Sequence, residues 1–224
     1  MIEVERKKFE RFLEAIEKVH HEAEIVFNKD EGCMETITVE PGHVYMIKAT
    51  LPCLGIKEHT AIGIDVTKAL KLLKTIKDDM LNIKIEGNKL WINEKVGVGL
   101  MDTSAMAKPK IPELTLEVKT DFLDLKELKR IIGTGKIISE SARFIAKDGV
   151  LTVRIEGDTD VLNFEICRAE GEGKALYSIE ILNELLKSID TGKLEFGTDK
   201  LMKIEGDDGV YIMYLLAPRI EPKD

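Results

Sequence analysis

Glutamine is absent from the 224-residue chain, asparagine occurs six times, and aromatic residues make up only 5% of it. Cysteine is scarce too. Cys33, Cys53 and Cys167 are odd in number and far apart, which excludes a disulfide framework or a zinc knuckle and leaves buried free thiols as the expectation. No apolar run approaches the ~20 residues of a membrane helix. The longest is Val210 to Pro218, and Met1 is followed by charged residues rather than a signal-peptide core, so a cytosolic protein with no membrane partner is expected. The lack of glutamine in a chain that is 33% charged is a bias of proteins from hot environments. A formal net charge of -8 argues against coating nucleic acid with the whole surface, but it does not constrain a single face.

Catalytic signatures are missing as well. His20, His21, His43 and His59 form no H-E-x-x-H pattern, and no G-x-S-x-G, Walker loop or G-x-G-x-x-G at a strand-helix junction is present. Gly97 and Gly99 lie inside a strand pattern, where a bulge or close backbone approach explains them better than phosphate binding. His20 and His21 read as surface imidazoles at a helix end. No metal, cofactor or enzymatic activity is expected.

What is present is a repeat. Residues 62–85 and 175–196 share one pattern: apolar strand, amphipathic helix ending LLKTI or LLKSI, polar turn, apolar strand. The two LLK segments lie 113 positions apart, and the hairpin signals ending at Gly32 and Gly149 lie 117 apart. Both offsets are near half the chain, which makes two similar domains the economical reading. The apolar content of 44% supplies a core for each.

Periodicity predicts helices over Lys8–His20, Val66–Lys77, Asp121–Ile132 and 180–190. Strands are expected near Ile2–Val4, 23–28, 33–39, 44–50, 81–86, 89–93 and 95–101. In the second half they are expected near 142–147, 150–157, 160–167, 174–179, 193–197, 201–205 and 209–215. The stretch 102–112, with two prolines and no periodicity, reads as a linker between modules 1–101 and 113–224. Strands outnumber helices, so the fold class is α+β, with each amphipathic helix on one face of a mostly antiparallel sheet.

On a helical wheel, Lys68, Lys71, Lys74 and Lys77 share one half and Ala69, Leu70, Leu72, Leu73 and Ile76 the other. No acid interrupts the lysines. A plain solvated face accounts for this helix alone equally well, although four like charges repel unless a polyanion is near. Other helices add Arg11, then Lys126, Lys129 and nearby Lys136, then Lys187, which occupies the repeat position of Lys74. If equivalent helices face one way, these cations form a basic surface on an acidic protein.

The C-terminal YLLAPRIEP (214–222) resembles the tail of the archaeal and eukaryotic sliding clamps, the proliferating cell nuclear antigen family. GHVYMIKATLP (42–52), GIDVTKALKLLK (63–74), GLMD (99–102), ISESARFIAKDGVLTVRIEGD (138–158) and ILNELLKSI (181–189) resemble that family's segments in the same order. The resemblance spans nearly the whole chain. It implies tandem duplicated clamp modules, each with two helices packed on antiparallel sheets, and a DNA polymerase processivity factor that closes as a homotrimeric ring around duplex DNA. Chains would join by strands 94–101 and 158–166, with Val96, Val98 and Leu100 on one and Val161, Asn163 and Glu165 on the other.

By the same resemblance, Lys71, Lys74 and Lys187 fall on the family's DNA-facing lysines, Arg11 matches a fourth basic position, and Lys129 and Lys136 approximate two more; Lys68 and Lys77, on the lysine half of the same helix, are expected to face DNA with them. Glu10 and Glu17 stand where many relatives have lysine. Replicative polymerase, flap endonuclease and DNA ligase would dock by short hydrophobic-aromatic motifs, and an ATP-dependent clamp loader would open the ring. Their pocket would be lined by Val39, His43, Val44, Leu100, Met101, Ile111, Pro112, Leu215, Ala217, Pro218 and Ile220. The connector and the chain are shorter than is usual in the family. A clamp-like regulator or decoy that binds client motifs without encircling DNA is the other reading. The implied location is the nucleoid of an archaeal-type cell.

Overall fold

Alternation of apolar and polar side chains dictates most of the structure, because it suits strands with one face buried. The computed structural model describes residues 1–220, apart from the side chain of Ala105. The end of the tail motif, Glu221 and Pro222, lies outside the described residues, as does the end of the module 113–224.

The chain divides into two units, Met1–Ile111 with Gly209–Ile212, and the remainder from Pro112. In the first, β1 (Ile2–Glu5) leads into α1 (Arg6–Glu17), then β2 (Glu22–Asn28), β3 (Cys33–Val39), β4 (Tyr45–Pro52) and β5 (Thr60–Asp65). After α2 (Val66–Leu73) come β6 (Met80–Glu86), β7 (Lys89–Ile92) and β8 (Val96–Met101). Pairing is antiparallel throughout, in the order β1-β6-β7-β8-β5-β2-β3-β4. Phe9, Phe12, Leu13 and Ile16, at helical spacing on α1, are all buried.

The second unit has β9 (Val118–Thr120), β10 (Leu123–Asp124), α3 (Lys126–Gly135), β11 (Ser141–Lys147), β12 (Val150–Glu156), β13 (Val161–Glu170) and β14 (Gly173–Ser178). It continues with α4 (Ile179–Leu186), β15 (Thr191–Phe196) and β16 (Met202–Asp207), and the last strand, β17 (Tyr211–Leu216), is divided between the units after Ile212. β11 pairs with β12 and β14, β12 with β13, and β15 with β16, all antiparallel. At its core Phe144 meets Tyr177 and Phe196 edge-on, at centroid distances of 5.7 and 6.2 Å. Asp148 and Gly149 both take positive φ in the β11–β12 turn, the conformation a two-residue hairpin favours.

The duplication extends to single pairings. Helices α2 and α4 begin at Val66 and Ile179, 113 positions apart like the LLK segments they carry. In the first unit Glu3 bridges Leu54; in the second, Thr120 pairs with Ala169. One strand of the first unit is two in the second: β1 runs along β6, whereas β9 and β10 share β15.

None of the four helices keeps its expected bounds, and α4 stops at Leu186, short of 190, with Lys187 as its C-cap. The helix α2 stops at Leu73 with Lys74 as its C-cap, so Lys77 lies beyond the helix rather than on its wheel. There Thr75 Oγ1 donates to Leu72 O at 2.7 Å, and Ile76 is buried without continuing the helix. The helix α3 starts at Lys126, not Asp121, because Leu123 and Asp124 pair with Gly192 and Thr191 and the Asp124 carboxylate accepts the Lys126 N–H at 2.9 Å. Lys136 is therefore its C-cap. The helix α1 ends at Glu17, leaving His20 to bond Glu22, its Nδ1 2.9 Å from Glu22 O.

Candidate nucleic-acid face and connector groove

An N-cap begins α2. The Asp65 carboxylate accepts the Lys68 N–H at 2.8 Å, a cap worth about 1 kcal/mol. Val66, Ala69, Leu70 and Leu73 are buried, which turns Lys68, Lys71 and Lys74 to solvent. None of these three, nor exposed Lys77, has an ion-pair partner among the described residues. On α1, Arg11 is half-buried, Arg6 pairs with Glu10 at 3.4 Å, and Glu14 is exposed.

The second unit's cations are engaged differently. Lys129 Nζ lies 2.7 Å from Asp190 Oδ1 and Lys187 Nζ lies 2.6 Å from Glu184 Oε1. Lys126 reaches Asp124 at 3.5 Å. Arg130 forks onto Glu127, and those hydrogen bonds lower the Glu127 carboxyl below its ordinary range. Lys136 is exposed with no ion-pair partner among the described residues.

The connector 102–111 belongs to the first unit and runs against its sheet. Asp102 opens it by accepting the Ser104 N–H at 2.8 Å, capping a single turn of 3-10 helix, Thr103–Ala105. That hydrogen bond holds the Asp102 carboxyl below its ordinary range. Lys108 Nζ reaches Glu24 at 3.3 Å. Between connector and sheet lies a cavity of about 470 Å³ lined in part by His20, Glu22, Thr38, Val39, Met101 and Met106. A second, of about 220 Å³, lies beside Val26, Ile37 and Pro109.

Of the residues expected in a client pocket, Val39 and Met101 line the larger cavity. His43, with φ of 59°, and Val44 lie in the turn between β3 and β4, where Val44 is 40% exposed. Leu100, paired with Ile64, and Ile111 are half-buried. In the second unit Pro112 is exposed, Ala217 and Pro218 are half-buried, and Ile220 is 93% exposed. Leu215 is buried and offers a client little surface. Arg219 secures the tail: its N–H donates to Leu176 O at 2.7 Å and its guanidinium to Ser141 Oγ at 2.8 Å and Glu140 O at 3.2 Å. The sequence reading missed Met106, although it is the one large apolar side chain between Met101 and Pro109.

Each unit also leaves a strand edge uncovered. β8 pairs with β7 from Val96 to Gly99, but only Leu100 and Met101 meet β5 on its other side. β13 pairs with β12, and only Ala169 and Glu170 meet β9. Among the described residues no strand covers the outer edges of 96–99 and 161–168. Val98 is buried within its unit, Val96 is half-buried, and Val161, Asn163 and Glu165 are exposed.

Burial raises the thiols of Cys33 and Cys53 to about 11, and Cys167, half-buried, is also raised; all three are free. Among the described residues no group of three His, Cys, Asp or Glu side chains could hold a metal ion. No helix among them is long and apolar enough to cross a membrane.

No protein-family model matches the chain. A DNA polymerase sliding clamp from Methanothrix thermoacetophila is 30% identical, over 88% of this chain and 90% of that one. Another, from Methanocella arvoryzae, is 28% identical over 95% of both. Among solved structures, the A. fulgidus PCNA bound to the C-terminal region of FEN-1 superposes with a TM-score of 0.90 at 25% identity, covering all of both chains. The fold is also that of PCNA from Thermococcus kodakaraensis, with a TM-score of 0.85, 23% identity, and 98% of this chain and 100% of that one covered. With the duplicated antiparallel units and their helix cations in place, the chain belongs to the DNA polymerase sliding clamp family, that of the archaeal and eukaryotic proliferating cell nuclear antigens.

Proposed function

We propose that three copies of this chain close into a ring around duplex DNA and tether replication and repair enzymes to it. The observation that carries the ring is the pair of uncovered edges, 96–99 on β8 and 161–168 on β13. A long unpaired edge invites association, and head-to-tail pairing of two different edges generates a ring where the rotation closes. Three two-unit chains give six units, and β8 of one chain would pair with β13 of the next.

Sliding clamps are non-enzymatic processivity factors, and enclosure explains how such a protein works without tight binding. The exposed cations of α2 attract phosphate without reading sequence, so the ring follows the duplex and is free to move. Strong contacts would arrest it. Clients enter through the connector groove beside Val39 and Met101 and the tail from Ala217 to Ile220, adding backbone pairing to an apolar anchor. The neighbour solved with the C-terminal region of FEN-1 supports a flap endonuclease as one client. DNA polymerase and DNA ligase are proposed as others, and a clamp loader as the opener. The site of action is the cytoplasmic nucleoid.

The test is absolute mass by light scattering after size exclusion across a hundredfold range of concentration. A mass of about 76 kDa, three times the 25.2 kDa chain, is expected. A persistent monomer would reject the ring.

A further inference from the structure

The helices use their cations differently: on α1, Arg6 pairs with Glu10 at 3.4 Å and Lys8 with Glu5 at 3.1 Å. On α2, Lys68, Lys71 and Lys74 are exposed and unpaired among the described residues, and Lys77 just beyond it is the same. Two of the acids adjoining this run are occupied: Asp65 caps the helix, while Asp78 accepts from Asn93 at 3.0 Å and from Lys95 at 3.3 Å. The cations of α3 and α4, among them Lys187, the repeat counterpart of Lys74, each have a carboxylate of their own. Lys187 sits 2.6 Å from Glu184, Lys129 sits 2.7 Å from Asp190, Lys126 sits 3.5 Å from Asp124, and Arg130 is forked onto Glu127. Lys136, at the C-cap of α3, is the one helix cation there without such a partner among the described residues.

We infer that phosphate contact is carried mainly by α2 and its C-cap, through Lys68, Lys71 and Lys74, while the α3 and α4 cations are held back by their own carboxylates. The inference rests on the DNA-encircling reading above. A free lysine attracts phosphate and displaces a counterion condensed on the DNA, whereas a lysine already neutralised by a neighbouring carboxylate presents almost no net charge and displaces none. These pairs are largely solvent-exposed and individually weak, so they do not lock the side chains; their effect is on local charge. Each chain then attracts the duplex mainly through one helix, and a clamp that does so has shallower electrostatic wells than one that grips with every helix.

The experiment measures the salt dependence of binding between the full chain and a short labelled duplex, by fluorescence anisotropy, with primer-template polymerase stimulation in parallel. In the variant Lys71→Gln with Lys74→Gln, the slope of log affinity against log salt should fall by about 0.9 for each phosphate that a lysine no longer neutralises. Charge-neutral removal of whole pairs, Lys187→Gln with Glu184→Gln or Lys129→Gln with Asp190→Asn, should leave slope and affinity unchanged. Glu184→Gln alone, which frees Lys187, should steepen the slope.

Equal losses from the α2 and pair variants would overturn the division of labour, as would an unaltered slope in Glu184→Gln. In either of those cases the unsubstituted chain would still bind and stimulate. If the unsubstituted chain neither bound DNA in a salt-dependent way nor stimulated polymerase, the encircling reading itself would fall, and this inference with it.

Discussion

The side chain of Met106, in the connector, lies across the bare α-carbon of Gly63, in β5. A Cβ built on Gly63 would stand 2.6 Å from Met106 Cε and 2.9 Å from the carbonyl oxygen of Met101. The methionine tip can swing aside, but the Met101 carbonyl belongs to the ladder that pairs Gly63 with Met101 and cannot. Gly63→Ala should therefore push the connector off the sheet at a cost of about 1–3 kcal/mol, the usual range for overpacking. Affinity for a hydrophobic-aromatic client peptide should fall about tenfold or more, since tenfold is ~1.4 kcal/mol. Isothermal calorimetry reads this directly, and undiminished affinity would mean that clients do not use the groove under Met106.

The tail depends on a different latch. Arg219→Ala removes the guanidinium from Ser141 Oγ and Glu140 O but keeps the backbone bond to Leu176. A tail that is less ordered before binding must be ordered during it, so client affinity should drop a few-fold with little change in melting temperature. Glu140→Gln should have almost no effect, because the Glu140 side chain is 88% exposed and its 3.3 Å pair with Arg219 belongs to the weak surface class. Equal effects from the two variants would place the latch in the charge pair instead.

These two contacts show where sequence reasoning stops. The strand pattern, the four helices and the repeat were legible because they are local: period 2 along β3 and β12, period 3.6 along α1, and one offset for the LLK segments. The boundary of α2 was not, since Ile76 keeps the helical period and stays buried although the chain has already left the helix. β9 was missed because Val118–Thr120 is only three residues long and is held by partners distant in sequence, on β13 and β15. The lysines were legible as residues, but the pairing of Lys129 with Asp190, 61 positions away, becomes visible only in three dimensions.

Acid should loosen the connector at its first residue. The Asp102 carboxyl is lowered chiefly by the Ser104 N–H it accepts. A carboxyl lowered by folding contributes its full stabilisation above its ordinary range and loses it as pH falls through that range and below. The protection of the Ser104 amide, its exchange rate taken relative to the intrinsic rate at the same pH, should therefore fall between neutral pH and about pH 3, where carboxylates protonate. Asp102→Ala should show the lower protection already at pH 7, with no further loss from this source on acidification. A wild-type Ser104 amide equally protected at both ends would remove the cap from the account.

Core truncation should be felt unit by unit. Phe144→Ala removes a fully buried ring that touches Tyr177 and Phe196 edge-on, for a loss of about 3–5 kcal/mol. Tyr177→Phe deletes only the hydroxyl that donates to Lys200 O at 2.8 Å, a loss of about 1 kcal/mol. A chain of two units need not melt as one two-state transition, so amide exchange is the better measure. Protection in β11 and β14 should fall while β2 and β5 stay protected. Uniform loss across all four strands would show that the two cores unfold as one.

The proposed ring should open at one side chain. Phe164 lies on β13, half-buried, with the Arg130 guanidinium 5.6 Å from its ring centre, and the alternate residues Val161, Asn163 and Glu165 face solvent. An arriving β8 edge would complete the cover of Phe164. In Phe164→Asp the new carboxylate stands near Arg130, which offsets part of its desolvation within the unit, whereas an incoming apolar strand would have to bury it. The fold, followed by far-UV circular dichroism, should persist while the scattering mass falls toward 25.2 kDa. Stimulation of polymerase on circular primed DNA should vanish with it, since a monomer cannot enclose the duplex. If instead the variant kept a mass of about 76 kDa, three times the 25.2 kDa chain, β13 would not be the joining edge, and the ring would have to close through another strand.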